Sequence, residues 1–157
     1  MAAENGRESR EANALFYLCS LIEYIARKTK NRRIAVVERL GDGRLRKILD
    51  LADVYHSDNI ERVATDFIDE AEIGQGTFDN VSVCRYAVPS HWDIGKVYKR
   101  LVLGVAKDSG KDLVPTLKNV YGSFLAEKID DYNSSVYYDS PAQHLADYEA
   151  GALTADQ

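Results

Sequence analysis

Apolar residues in the stretch from Ser90 to Lys107 fall at Ile94, Val97, Tyr98, Leu101, Val102 and Val105. That is the i, i+3, i+4, i+7 spacing of one helical face. Pro89 disfavours helix before it, and Ser90 with Asp93 three residues on has the form of a capping box. A helix is therefore predicted from about 90 to 107, with the only Trp, Trp92, in its first turn. It reads as the element on which the rest of the chain is organised.

The same period runs through most of the sequence. Leu15, Leu18, Cys19, Ile22 and Ile25 make a stripe over residues 8–29, widened by Phe16 and Leu21. A short helix is predicted over 33–40, then a break at Gly41-Asp42-Gly43. A further helix is expected over 44–55 on Leu45, Ile48, Leu49, Ala52 and Tyr55. Asp58 starts another, carried by Ile60, Val63, Ala64, Phe67 and Ile68 to a stop at Gly74-Gln75-Gly76. After the central helix, one long helix is predicted from about 111 to 132, with Pro115 tolerated in its first turn. Ser140-Pro141 is a strong start for a last helix ending at Gly151, with Leu145 and Tyr148 facing inward.

Residues 78–89 alternate only weakly, and a lone strand has no partner, so 74–90 is expected to be an ordered loop. The fold expected is all-α: one single-domain bundle of about six to seven helices. An N-terminal helical half (13–73) and a C-terminal half (91–151) meet across that loop, and disorder is expected only at 1–8 and 152–157. A chain of 157 residues is long enough to bury a core of this kind.

Composition adds three points. No apolar run reaches the length of a membrane span, and the polar start has no secretory pattern, so a cytoplasmic location and no membrane partner are expected. Two cysteines, Cys19 and Cys84, make no disulfide framework. The net charge of −5 hides an asymmetry. Residues 27–47 carry nine basic and two acidic side chains, and residues 127–157 carry seven acidic and one basic. Ten tyrosines, against four Phe, suit half-buried and interface positions.

Catalytic chemistry finds little support. The three histidines, His56, His91 and His144, form no pair with metal-ligand spacing, and neither a metal nor a cofactor is expected. There is no nucleophile elbow and no glycine-rich phosphate loop. Asp66 and Glu70 share a helix face, as ordinary solvated carboxylates do. The one enzymatic alternative is a site assembled in space from Cys84, His91 and Asp93.

Two binding readings stand instead. Residues 34–41 followed by 44–49 have the outline of a helix–turn–helix. Arg44, Arg46 and Lys47 would lie at the start of its second helix, and Arg32 and Arg33 near phosphates. Asp50, Asp53 and the acidic whole argue against it. The favoured reading is a non-enzymatic protein-interaction module. Tyr132, Tyr137 and Tyr138, interleaved with Asp130 and Asp131, would form an acidic–aromatic surface for a basic partner, or for the basic segment of a second copy.

The runs Leu15–Tyr24, Ala35–Leu40, Ile48–His56 and Ile60–Ile68 resemble a small bacterial helical family whose genes lie beside those of ADP-ribosyltransferase-like proteins. The arrangement is similar to toxin–antitoxin pairs. The resemblance covers about residues 13–70 and carries over no catalytic residue. It implies a neutralising or accessory protein that binds the product of a neighbouring gene.

Overall fold

The computed structural model describes the backbone of residues 2–154 and the side chains of residues 10–154. Met1 and residues 155–157, on which part of the expected terminal disorder falls, lie outside the described residues, as do the side chains of 2–9. Among the described residues eight α-helices follow in order. They are α1 (Ala2–Thr29), α2 (Arg33–Asp50), α3 (Ala52–His56), α4 (Ile60–Ala71), α5 (His91–Ser109), α6 (Leu113–Tyr121), α7 (Phe124–Ile129) and α8 (Pro141–Ala150). One 3-10 turn, Val136–Tyr138, precedes α8. No strand occurs among the described residues, and a single apolar core runs through both halves. The all-α bundle read from the periodicity is the fold.

The centre of the bundle is α1 rather than α5. The stripe of α1 is so wide that Leu15, Leu18, Cys19, Leu21, Ile22, Ile25 and Ala26 are all fully enclosed. A helix apolar on most of its circumference must be covered on several sides. Here α2, α3, α4 and α5 all pack on it, and α5 does so most extensively. The contact is close because Gly95 of α5 lies against Ser20 of α1. A Cβ built on Gly95 would stand 2.1 Å from Ser20 Oγ and 2.8 Å from Ser20 Cα.

Local signals set most boundaries. Ser90 and Asp93 form the expected capping box, with both hydrogen bonds at 3.0 Å. Ser140 caps α8, Pro141 occupies its first turn, and Gly151 ends it in the left-handed conformation. Asn59, not Asp58, caps α4: its side chain accepts from Glu61 N at 2.8 Å, while Asp58 accepts from Asn59 N. The helix ends at Ala71, ahead of the glycines, because Glu72 turns left-handed.

Two boundaries differ from expectation. The Gly41-Asp42-Gly43 break is a kink inside α2, made by Gly41 alone at φ 76° and ψ 164°, and the helix resumes at once. The long helix expected over 111–132 is divided at Gly122-Ser123. The Ser123 hydroxyl there accepts from Ala126 N at 3.3 Å and caps a new helix, α7. A serine with a suitable backbone competes with helix continuation in this way.

The segment 72–90 is ordered as expected, without a strand, and it is pinned from both sides. Gly76 N and Phe78 N donate to Thr29 O and Lys30 O at 2.8 and 2.9 Å. Asn133 accepts from Arg85 N and donates to Val83 O. The residues after α8 fold back on it. The Asp147 carboxylate accepts from Thr154 N and Thr154 Oγ1 at 2.8 and 2.6 Å, which ties the chain end to α8. Asp147 and His144 are the buried residues of α8, with Leu145 and Tyr148 only half-buried. His144 Nε2 donates to Val136 O at 2.6 Å.

The Gly95–Ser20 crossing leads to a direct test. Gly95→Ala must push α5 away from α1, and overpacking of this kind costs about 1–3 kcal/mol. Urea unfolding should show a lower midpoint with an unchanged slope. An unchanged midpoint would show that the crossing relaxes freely.

Candidate functional site

The structure brings together a set of polar residues that the hydrophobic pattern does not single out. Glu23 of α1 and Arg33 of α2 are both 1% exposed and form a bidentate ion pair, Arg33 Nε to Glu23 Oε1 at 2.8 Å and Arg33 Nη2 to Glu23 Oε2 at 2.6 Å. Glu23 Oε2 also accepts from Arg27 Nε at 2.7 Å and from the Tyr132 hydroxyl. Arg33 Nη2 reaches Asn80 Oδ1 at 3.2 Å, and Asn80 Nδ2 donates to Asp130 O at 2.8 Å. Asp130 Oδ1 accepts from the Tyr98 hydroxyl at 2.6 Å. Arg27 Nη2 holds Pro89 O at 2.8 Å, and its guanidinium lies 5.4 Å from the centre of the Tyr132 ring. One network thus joins α1, α2, α5, the 72–90 segment and the turn after α7.

Its electrostatics are uneven. Burial alone would raise the Glu23 carboxyl, but Arg33, Arg27 and the Tyr132 hydroxyl outweigh it and bring it down to about 2. Asp130 has no such direct ion pair. Burial, reinforced by the negative charge of Glu23 and opposed by Arg33 and Tyr98, pushes it up to about 7. The Tyr132 and Tyr98 hydroxyls are raised by burial and by the neighbouring carboxylates, so both stay protonated donors.

Beside this network opens a cleft of about 310 Å³. The start of α2 (Arg32, Arg33, Ile34) forms one wall, and the α6–α7 junction and the face of α7 with Ala126, Glu127 and Asp130 form the other. Another groove, of about 400 Å³, lies against the first half of α5, between Val88, Asp93, Val97, Arg100, Tyr137, Tyr138 and Asp139.

The residues expected to form the acidic–aromatic surface do not act as a group. Tyr132 and Asp130 are in the core, so they are corrected from surface to interior. Their polar atoms face Glu23 and Tyr98, partners distant in sequence. Asp131 is exposed and caps a local turn, accepting from Asn133 N. Tyr137 is half-buried with its ring packed on Tyr132 and Tyr138, and Tyr138 is 80% exposed. Only Tyr137 and Tyr138 meet at a surface, joined there by Asp139.

The basic segment is divided in the same way. Arg33 is interior and neutralised, so it cannot touch phosphate. Arg44 is bound to Glu70 at 2.7 Å and to the carbonyls of Leu40 and Glu70. Arg32 lies over the Phe78 ring, 4.3 Å from its centre. Arg46 and Lys47 are exposed and enter no ion pair among the described residues.

Cys84, His91 and Asp93 have separate contacts, and His91 Nε2 is buried without a hydrogen-bond partner. The Cys84 thiol donates toward Tyr86 O and Tyr132 O, Asp93 completes the α5 cap, and His91 packs on Tyr24 and Trp92. No hydrogen bond joins the three. Among the described residues no group of three His, Cys, Asp or Glu side chains is placed to hold a metal ion. Trp92 also stacks on His56, so two of the three histidines belong to an aromatic cluster with Phe16 and Tyr17.

No family model, no curated protein and no solved structure matches the chain. Among the described residues no helix is long and apolar enough to cross a membrane. What the fold defines is an all-α bundle with a buried ionic network and several surface depressions.

Two outcomes follow from the network. Glu23→Ala leaves Arg33 buried without a counter-charge, a change that costs about 3–5 kcal/mol, readable as a large fall in the denaturation midpoint. For Asp130 the sign depends on pH. Its folded value near 7 lies above the roughly 3.9 of an unfolded chain. The folded state therefore holds the proton more tightly, and this stabilisation fades as pH rises from about 4 to about 7. Glu23 acts in reverse, stabilising above roughly pH 4.3 and losing its effect as the pH falls toward about 2. Asp130→Asn keeps the acceptor for Tyr98 and removes the titration. The Tm difference, variant minus parent, should rise from about pH 5 to about pH 8. A difference equal at both would mean that Asp130 ionises normally.

Proposed function

We propose that this protein is a helical interaction module, and that its docking surface is the groove bordered by Val88, Tyr137 and Tyr138. The carrying observation is that two exposed large apolar side chains, Val88 and Tyr138, line it, and that Val88 ends a run carrying two more. Val83, Tyr86, Val88 and Tyr138 are four of the seven such side chains among the described residues, and the first three lie on one six-residue run of the pinned 72–90 segment. Apolar side chains held in the open on an ordered backbone fit an interface core with little ordering cost on binding. Tyrosine supplies area and a polar tip together.

The occupant that suits the groove is a basic segment of a partner protein. Asp93 and Asp139 border it against a single guanidinium, that of Arg100. Ring faces at Tyr137 and Tyr138 suit an Arg or Lys side chain. Opposite charge at the rim directs encounter and orientation more than it adds affinity. The resemblance over residues 13–70 points first to the product of a neighbouring gene as that partner, in an antitoxin-like or accessory role. A nucleic-acid role for the segment 27–47 has less support, because Arg33 and Arg44 are already paired with carboxylates.

The test uses immobilised peptides of matched apolar content, one set rich in Arg and Lys and one in Asp and Glu. The basic set should bind, more weakly as salt rises from about 50 to about 300 mM. Tyr138→Ala and Asp139→Asn should each reduce binding by about tenfold or more. Equal binding of both sets, or a Tyr138→Ala variant that binds like the parent, would reject the reading. Light scattering on the same samples shows whether a second copy takes the partner's place.

A further inference from the structure

His91 is the first residue of α5, and its half-buried ring lies in the corner between α5 and α1. The ring meets Tyr24 of α1 edge to face, 5.1 Å between centres, and lies against Trp92 at 4.7 Å. Its Nε2 atom is buried and has no hydrogen-bond partner among the described residues. A neutral imidazole tolerates this with its proton on Nδ1, since Nε2 is then only an unused acceptor. An imidazolium does not, because both ring nitrogens become donors and both need acceptors. A buried N–H without an acceptor carries its full desolvation penalty.

The same corner holds the tie that ends the 72–90 segment. Arg27 Nη2 donates to Pro89 O at 2.8 Å, two residues before His91. A proton on His91 therefore puts a second cation beside the Arg27 guanidinium. It also puts that cation at the start of a 19-residue helix, where the backbone N–H groups are already partly positive. The titratable and charged groups around the ring are Tyr24, Arg27 and Glu23 from α1, and Asp93 on its own helix. Further out stand His56 of α3 across Trp92, Glu61 of α4 beyond Tyr24, Tyr132 against Arg27, and Tyr137 near Asp93. Glu23 and Asp93 favour the charged ring, but Glu23 is shared by Arg33, Arg27 and Tyr132, and Asp93 holds Ser90 N. Burial first and Arg27 second prevail, and they hold the imidazole below its ordinary value.

We propose that His91 is an acid-sensitive latch for the end of the 72–90 segment. Neutral, the ring packs on Tyr24 and Trp92 and lets Arg27 hold Pro89 O. Protonated, its Nε2–H must reach water, so the ring leaves the corner and the tie to Pro89 loosens with it. Val88 adjoins Pro89 and lines the groove with Tyr138, so the loosening reaches that groove. This consequence rests on the groove being the docking surface; the latch itself does not.

The fold prefers the neutral ring. Its contribution is complete above about pH 6.5 and is lost as the pH falls through the lower folded value. Protonation of Asp130 acts in the opposite direction over the same range, so a His91 variant is needed to separate the two.

The experiment is amide exchange by NMR on the intact protein at about pH 7.5 and about pH 5.5, read as protection so that the intrinsic rate cancels. Ser90 N and Asp93 N, the two amides of the α5 cap, should lose protection by about threefold or more at the lower pH, within the limit of about tenfold per pH unit for one proton. Val102, deep in the same helix, should lose less. His91→Phe keeps a ring in the corner and removes the titration, and His91→Gln removes it without a ring. In whichever variant folds, cap protection should be the same at both pH values. Equal protection of the parent cap at both values overturns the latch. So does a loss as large at Val102 as at Ser90, which would mark global destabilisation, and so does an acid response that survives in the variants. The basic peptides of the docking test should bind the parent more weakly at the lower pH and the variants equally at both. If no basic peptide binds at either pH, the docking reading fails while the exchange result still decides the latch. Peptide binding that ignores pH while the cap opens would overturn the link to the groove.

Discussion

The buried pair of Glu23 and Arg33 is the interaction on which the rest of the structure depends. Both side chains are removed from water, and neither charge is tolerable there alone. Glu23 is saturated by three partners: Arg33 at the start of the next helix, Arg27 one turn along, and Tyr132 across 109 residues of sequence. Each partner is itself tied onward, Arg27 to the loop at Pro89 and Arg33 to Asn80. The two halves of the chain are joined by a polar lock at the centre of an apolar core. Such a lock adds less net stability than apolar packing of the same volume, but it fixes which residues face each other.

That constraint explains which parts of the fold are legible in the sequence. The α5 face, the Ser90–Asp93 box and the Ser140-Pro141 start can be read directly, since each is set by residues a few positions apart, whereas the contacts that hold the 74–90 segment come from Thr29, Lys30 and Asn133. The all-α class follows from the same signals. The division at Gly122-Ser123 is less visible, because the apolar stripe continues in register across it and only the serine cap marks the boundary. The dominance of α1 over α5 could have been read from the breadth of its stripe, which needs cover on more sides than one neighbour provides.

The candidate sites are much less legible, and for one reason. A hydrophobic pattern assigns Asp130, Tyr132, Arg33 and Glu23 to polar faces, and polar faces are expected to meet water. Here they meet each other, over separations of 10 to 109 residues that no local rule reaches. Tyr132 and Tyr138 look equivalent in the sequence, six residues apart in an acidic stretch. In the structure one is a core hydrogen-bond donor and the other is 80% exposed. The sequence signal that survives is indirect. The tyrosine excess over Phe is in part an excess of buried hydroxyls that satisfy buried carboxylates, as at Tyr98 and Tyr132.

The charge asymmetry changes meaning for the same reason. Nine basic residues between 27 and 47 suggest an electrostatic footprint. Yet Arg27 and Arg33 neutralise Glu23, Arg44 holds Glu70, and Lys28 and Lys30 lie near Glu61 and Asp79. Within the same segment Asp42 accepts a proton-bearing partner from Lys118 at 2.8 Å, which fastens the α2 kink to α6. The positive charge is therefore distributed inward and sideways rather than presented as one face. Arg32, Arg39, Arg46 and Lys47 form no ion pair among the described residues; of these, Arg32 packs on the Phe78 ring and Arg39 donates to Glu72 O, so the remaining positive charge is spread over several elements.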